Sequence, residues 1–383
     1  MSAEFFPADV EVAIFGAGIA GASLVWQLAT HGMQRVALIE AEDQPGRHAT
    51  GRSAAVFAPS YGPPAVRALT RASRAFLQQP PAGFSEVPLL QPRGSMFVAA
   101  PGQEAALRAL HDELAAASPR LQWLTAAEAL QRVSVLRPEA VAAALYDPDA
   151  LDMDVHALLQ GFLRGARRSG AVLHLGVRLD AAHFDNGSWV LRFQNGGELR
   201  ARTVVNAAGA WADRLAAQLG AKPIGLVPKR RSAFTFRAPE GVVSAHWPLV
   251  IGVDESWYFK PDAGQLLGSP ANADPTEPQD VQPEALDIAL GIHAIETVST
   301  LSIRRPTATW AGLRSFVADG EPVIGFDPQC PGLFWHAAFG GYGIQSAVGA
   351  SALAASLLSG DGVPESLQRE GLALRSVLPD RLR

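Results

Sequence analysis

The run Pro228-Lys229-Arg230-Arg231-Ser232-Ala233-Phe234-Thr235-Phe236 sets three cations at the head of a β-prone stretch, in a chain whose net charge is −5. Side chains along a strand alternate between faces, so Arg230 and Arg231 cannot serve the same pocket. Arg231 shares its face with the small Ala233 and Thr235, whereas Arg230 shares its face with Ser232, Phe234 and Phe236. A planar guanidinium binds a carboxylate through two parallel hydrogen bonds, and small neighbours leave room for one. In isolation the run also reads as a solvated strand end, so the rest of the chain must decide.

The segment that would position such a site begins at residue 10. Val10 to Phe15 is apolar and β-prone, and Gly16-Ala17-Gly18-Ile19-Ala20-Gly21 follows at once. Leu24, Val25 and Leu28 recur at helical spacing, Gly32 ends the helix, and Arg35 to Ile39 reads as a second strand closing on Glu40. Strand, GxGxxG, helix, strand and acid stand in the order of a dinucleotide-binding βαβ unit. Gly16 permits the tight turn, Gly18 admits a pyrophosphate to the helix N-terminus, and Gly21 lets helix and strand pack closely. Glu40, 24 residues after Gly16, can accept hydrogen bonds from both hydroxyls of an adenosine ribose.

The dinucleotide expected is FAD. After Glu40 a nicotinamide enzyme would proceed to another strand and helix, but here a loop of glycine and small residues runs to Gly62. It suits a path along an extended FAD, with Thr50 and Ser53 serving pyrophosphate and flavin; alone, it reads as well as a surface loop. Residues 201–216 form a strand ending in Ala207-Ala208-Gly209 that turns into a helix, allowing backbone to pass a ligand closely. Residues 312–358 end in a glycine turn feeding a long helix of small residues, with the amides of Gly341 to Gln345 at its N-terminus. A helix N-terminus stabilises the negative charge that a reduced flavin develops.

The totals agree with a soluble enzyme of two domains. The chain has 383 residues, 48% hydrophobic and 18% charged, enough for a large core and unlike a disordered chain. The mild acidity gives no footprint for nucleic acid. Cys330 is the only cysteine, which excludes an internal disulfide and points to a reducing compartment. Residues 1–16 lack the basic and apolar regions of a signal peptide. The apolar run 346–358 is too short to span a bilayer. The expected location is cytoplasmic, at most peripheral to the inner membrane. Residues 152–170 read as an amphipathic helix. Its Asp152, Asp154 and His156 are expected to reflect capping by the aspartates, and no metal is expected. Asn195-Gly196-Gly197 marks a hairpin.

These motifs resemble the D-amino acid oxidase superfamily of FAD enzymes over nearly the whole chain. The stretches "HATGRSAA", "PKRRSAF", "KPDAG" and "WAGLRSFVADG" are most similar to bacterial D-arginine dehydrogenases. The resemblance implies an α/β fold. A discontinuous Rossmann-like FAD domain (1–88, 148–226, 308–383) joins a substrate domain on an antiparallel sheet (89–147, 227–307). It implies that Gly16, Gly18, Ala20, Gly21, Glu40, Ala41, Thr50, Arg52, Ser53, Ala54, Val177, Gly209, Gly340, Gly341, Tyr342, Gly343, Ile344 and Gln345 hold non-covalent FAD, with Cys330 poorly placed for a flavin link. Arg314 matches the family's main carboxylate clamp, Arg231 a second arginine, Tyr258 a phenol holding the same carboxylate, and Tyr61 an active-site tyrosine.

The implied reaction is hydride transfer from the substrate α-carbon to the flavin, with the imino product hydrolysed to a 2-oxo acid and ammonia. Where sarcosine-type oxidases hold a lysine that promotes oxygen reactivity, Leu266 is aligned here, which favours a dehydrogenase passing electrons to a quinone or dye. Ser95 stands where the arginine-preferring enzymes carry a glutamate. Val56 and Ala58 make an apolar wall beside Gly341, so neutral, apolar D-amino acids are expected over D-arginine. The alternatives are an oxygen-using sarcosine- or glycine-type oxidase, and a non-catalytic dinucleotide sensor, which would need no carboxylate clamp.

Overall fold

A computed structural model describes residues 9–116 and 118–383; the first part of the signal-peptide reading, residues 1–8, lies outside them. Among the described residues the strands form a mixed sheet of eight, a largely antiparallel sheet of nine and a small sheet of three. The fold is mixed α/β.

The strand Asp9–Phe15 pairs in parallel with Val36–Ile39 on one side and Glu198–Asn206 on the other. Val172–His174 extends the first edge, and Leu333–Ala337 pairs in parallel beyond Glu198–Asn206. Four separate stretches of chain therefore build one sheet. Its central strands are buried on both faces, as parallel strands with covered faces are. Ile14, Leu38 and Phe334 pack to one side with the helices Ile19–Thr30 and Val155–Arg168. Ala13, Phe15 and Trp335 pack to the other. The hairpin at Asn195–Gly197 joins Ser188–Phe193 to Glu198–Asn206.

The C-terminal helix Gly343–Ser359 is poor in bulk because it crosses Pro64–Gln78 closely: a Cβ on Gly349 would strike the Leu69 carbonyl. Asp154 caps Val155–Arg168 by accepting from the Ala157 N–H at 2.8 Å. Asp152 does not cap. It accepts from Arg93 Nε at 2.6 Å and Lys260 Nζ at 2.8 Å, tying the small sheet to the large one. No helix among the described residues is long and apolar enough to cross a membrane.

The large sheet runs in space from Asp274–Pro275 through Val227–Phe236, Gln265–Ser269, Tyr258–Asp262, Leu249–Gly252, Ser95–Ala99 and Ala143–Asp147 to Gln122–Thr125. Ala308–Phe316 pairs with the free side of Val227–Phe236. Phe234, Phe236, Phe259 and Leu266 face away from the mixed sheet into a core closed by Ile295 of the helix Ala285–Val298. The opposite face is the one turned to the cofactor cavity.

Candidate active site

A cavity of about 560 Å³ runs from Val177 and Gln194 past the glycine turn at Gly16–Gly18 to Arg314 and Tyr258 on the large sheet. Its walls fit the group the sequence predicts. A Cβ on Gly16 would strike the Ala207 carbonyl, and φ there is +105°, so glycine is needed twice over. The Ile19 N–H donates to Thr50 Oγ1 at 2.9 Å, holding the Thr50 loop against the helix N-terminus. Glu40 receives the Ala17 N–H at 2.7 Å and the Glu42 N–H at 3.0 Å. Its oriented carboxylate lines the cavity with lone pairs left for ribose hydroxyls. Ala20, Ala41, Ser53, Ala54, Gly209, Gly340, Gly341, Gly343 and Ile344 also line it.

Three predicted cofactor residues do other work. Gly21 is not on the wall; it lets the helix touch the Gly16 carbonyl. Gln345 turns away from the cavity and holds the loop after Val56–Phe57, accepting from Ala58 N–H at 2.9 Å and donating to Tyr61 O at 3.4 Å. Tyr342 lies beside that loop, edge-on to Tyr61 at 5.2 Å. Arg52 does line the cavity, but its guanidinium is committed to Ala311 O, Val281 O and Asp280. Cys330 lies outside the wall, buried near the Leu219 carbonyl. Sequence reasoning missed His336, a cavity-lining imidazole whose burial pushes its pKa down to about 3, and which stays neutral. It also missed the paired rings of His48 and Trp211, 4.5 Å apart.

At the far end of the cavity the strand alternation separates the two arginines. Arg230 points away and is neutralised by Asp287 at 2.9 Å, Asp274 at 3.5 Å and Glu284. Arg231 points into the cavity with Ala233. Its Nε donates to the Asn272 carbonyl at 2.6 Å, and burial together with the neighbouring Arg314 charge lowers its pKa. Arg314 lies on the adjacent strand, beside Tyr61, and over the turn at Gly341, where a Cβ would come within 2.8 Å of the guanidinium. The isolated bridge from Gly340 N–H to Ser315 O, 2.9 Å, holds that turn in place. Burial raises the Tyr61 pKa despite Arg314, so the phenol is neutral at ordinary pH. Its hydroxyl donates to Glu255 Oε2 at 3.4 Å. Among the described residues no carboxylate pairs with Arg231 or Arg314.

Register corrects the reading of Leu266. Lys260 stands opposite Leu267, and Tyr258 opposite Ser269, so Leu267 and Lys260 share the face of Tyr258. Leu266 stands opposite Phe236 and belongs to the core behind the sheet. Ser95, Val56 and Ala58 also lie off the cavity wall. Ser95 is buried opposite Leu249 and Asp147, on the Tyr258 face but across the strand Leu249–Gly252. Val56 stands opposite Asp152 on the small sheet.

The family model "DAO: FAD dependent oxidoreductase" matches residues 11–357. The chain belongs to this family of FAD-dependent oxidoreductases. It is 29% identical over 215 residues to the glycine oxidase of Geobacillus kaustophilus, covering 56% of this chain and 55% of that protein. It is 27% identical over 237 residues to the L-2-hydroxyglutarate dehydrogenase of Escherichia coli K12, covering 59% and 54%. The chain thus spans about half the length of the curated relatives it matches. The fold is that of the G. kaustophilus glycine oxidase structure, with a TM-score of 0.80 at 24% identity over 94% of this chain and 99% of that one. The P. horikoshii L-proline dehydrogenase structure gives a TM-score of 0.80 at 21% identity, covering 97% and 100%.

Proposed function

We propose that this enzyme deaminates D-amino acids oxidatively, and that Arg314, Arg231, Tyr258 and Tyr61 hold the substrate. One observation carries the reading: two guanidiniums line the same end of an FAD cavity with no protein carboxylate to balance them. A buried charge of that kind requires an anion, and an α-carboxylate supplies it in bidentate form. Bound FAD would supply the hydride acceptor. The protein's own part is orientation: the clamp holds the carboxylate, and the substrate enters with its amine neutral. The α-carbon loses a hydride, the resulting imine takes up water, and a 2-oxo acid and ammonia leave. Handedness rests on the resemblance to D-arginine dehydrogenases. We assign the cofactor to residues 1–88, 148–226 and 308–383, and substrate contacts to the remainder.

For the side chain, Ser95 brings no charge to balance a guanidinium, so neutral D-amino acids are preferred. A panel of D-leucine, D-methionine, D-phenylalanine, D-lysine and D-arginine should give the highest kcat/KM with the apolar members. Ser95→Glu should raise the D-arginine to D-leucine ratio about tenfold, or 1.4 kcal/mol. Asp147 directly opposite limits the gain, because like charges facing each other across a sheet repel. A wild type that prefers D-arginine, or a variant with no gain, removes Ser95 from specificity.

A second reading, an oxygen-using glycine-type oxidase, is favoured by the match to glycine oxidase and by the buried Lys260 on the cavity face. Asp152 engages that ammonium at 2.8 Å, and Leu267 beside it is apolar. We therefore expect slow reoxidation of the reduced enzyme by air and fast reoxidation by a quinone or dye. Rapid, stoichiometric hydrogen peroxide in a stopped-flow experiment would establish the oxidase instead.

A further inference from the structure

The segment after Asp274–Pro275 leaves the large sheet and crosses to the cofactor cavity. It starts from a fixed base: Lys229 and Arg230 pair with Pro275 and Asp274, and the Thr276 N–H donates to Pro228 O at 3.0 Å. At its far end Asp280 pairs with Arg52 and lies 3.8 Å from Arg47 Nη2. Arg52 Nη1 donates to the Val281 carbonyl at 2.9 Å. The Val281 side chain, 4% exposed, packs with Ala210, Ala311 and Leu313. Midway, Glu277 pairs with Arg214 at 3.1 Å.

These fastenings fall on two different stretches of the cavity wall. Arg47 and Arg52 belong to the loop after Glu40, whereas Ala210 and Arg214 follow the strand Glu198–Asn206. The two stretches meet at the His48–Trp211 ring contact. Residues 276–281 bridge both stretches. An extended cofactor between them leaves only when they part, and they part only when the bridge lifts.

We propose that residues 276–281 form a latch on the FAD cavity, fastened by Asp280 and Val281, which governs the rates of cofactor entry and release. The proposal uses only the family's cofactor and is independent of the substrate. Its ionic part is half open to solvent, with the Asp280 side chain 45% exposed and Arg52 17%, so salt should weaken it. Its apolar part should not respond to salt in that way.

The test follows FAD release from the holoenzyme by the rise of flavin fluorescence, and uptake by apoprotein by its loss. Wild-type release should quicken severalfold between low and high salt. Asp280→Asn should quicken release about three- to fivefold at low salt, the scale of a partly exposed ion pair, and abolish the salt response. Val281→Ala should quicken release about tenfold, on the scale of a buried aliphatic truncation, and keep the salt response. Both variants should also quicken uptake, since a latch is a barrier in both directions. Unchanged release in both variants would overturn the proposal. So would faster release with unchanged uptake, which would make the two residues contributors to equilibrium affinity only.

Discussion

An Arg314→Met enzyme is expected to keep its yellow cofactor and lose turnover with every amino acid substrate. The methionine fills the side-chain volume but offers no donor to the carboxylate. Loss of one partner from a buried charge pair costs on the order of 2–5 kcal/mol, about thirty- to several-thousandfold in kcat/KM. Arg231→Met should cost less, because Arg231 already spends its Nε on the Asn272 carbonyl. The measurement is steady-state turnover with a dye acceptor, beside flavin absorbance per protein. Near-normal kinetics for Arg314→Met with full FAD content would sink the carboxylate-clamp reading, and a larger loss at Arg231 would reverse the ranking.

The second large effect is expected at Gly21. A Cβ there would penetrate the Gly16 carbonyl and stand 3.2 Å from the Leu38 side chain. Both the helix Ile19–Thr30 and the strand Asp9–Phe15 are fixed by their neighbours, so backbone has nowhere to go. Gly21→Ala should yield little folded, FAD-loaded protein, the cost lying in the exceptional range above about 4 kcal/mol. Gly18→Ala meets only Thr50 Oγ1, at 3.2 Å, and should fold with weakened FAD binding. Flavin content and thermal unfolding measure both. Equal behaviour of the two variants would show that the helix–strand contact is less demanding than its geometry implies.

The nucleotide end was legible because its parts are neighbours in sequence. Gly16, Gly18, Gly21 and Glu40 lie within one βαβ unit, where spacing alone gives the arrangement. Arg231 was separable from Arg230 by strand alternation, which needs no tertiary information. The Leu266 assignment failed on the same rule, applied without the turn. Asp262 pairs with Gln265 around Ala263 and Gly264, both with φ in the left-handed region, at 46° and 78°. That two-residue turn sets Lys260 against Leu267, and the small left-handed pair was the signal available in the sequence. Asp152 was assigned to a cap because it precedes a helix, although its partners Arg93 and Lys260 are distant in sequence. Arg52 and Asp280 stand 228 residues apart, beyond any local pattern. Ser95 and Val56 sit where separate sheets approach each other, which spacing cannot express.

The cavity wall combines Gly16 and Gly18 near one end of the sequence with Gly343 and Ile344 near the other. During synthesis the first βαβ unit leaves the ribosome long before the strand Leu333–Ala337 that completes its sheet. A nascent chain therefore carries a glycine turn shaped for a pyrophosphate but lacks the far wall that would retain one. Loading with flavin must wait until translation has passed Ile344. Through that interval the exposed edge of Glu198–Asn206 depends on chaperones, or on speed, to stay unpaired.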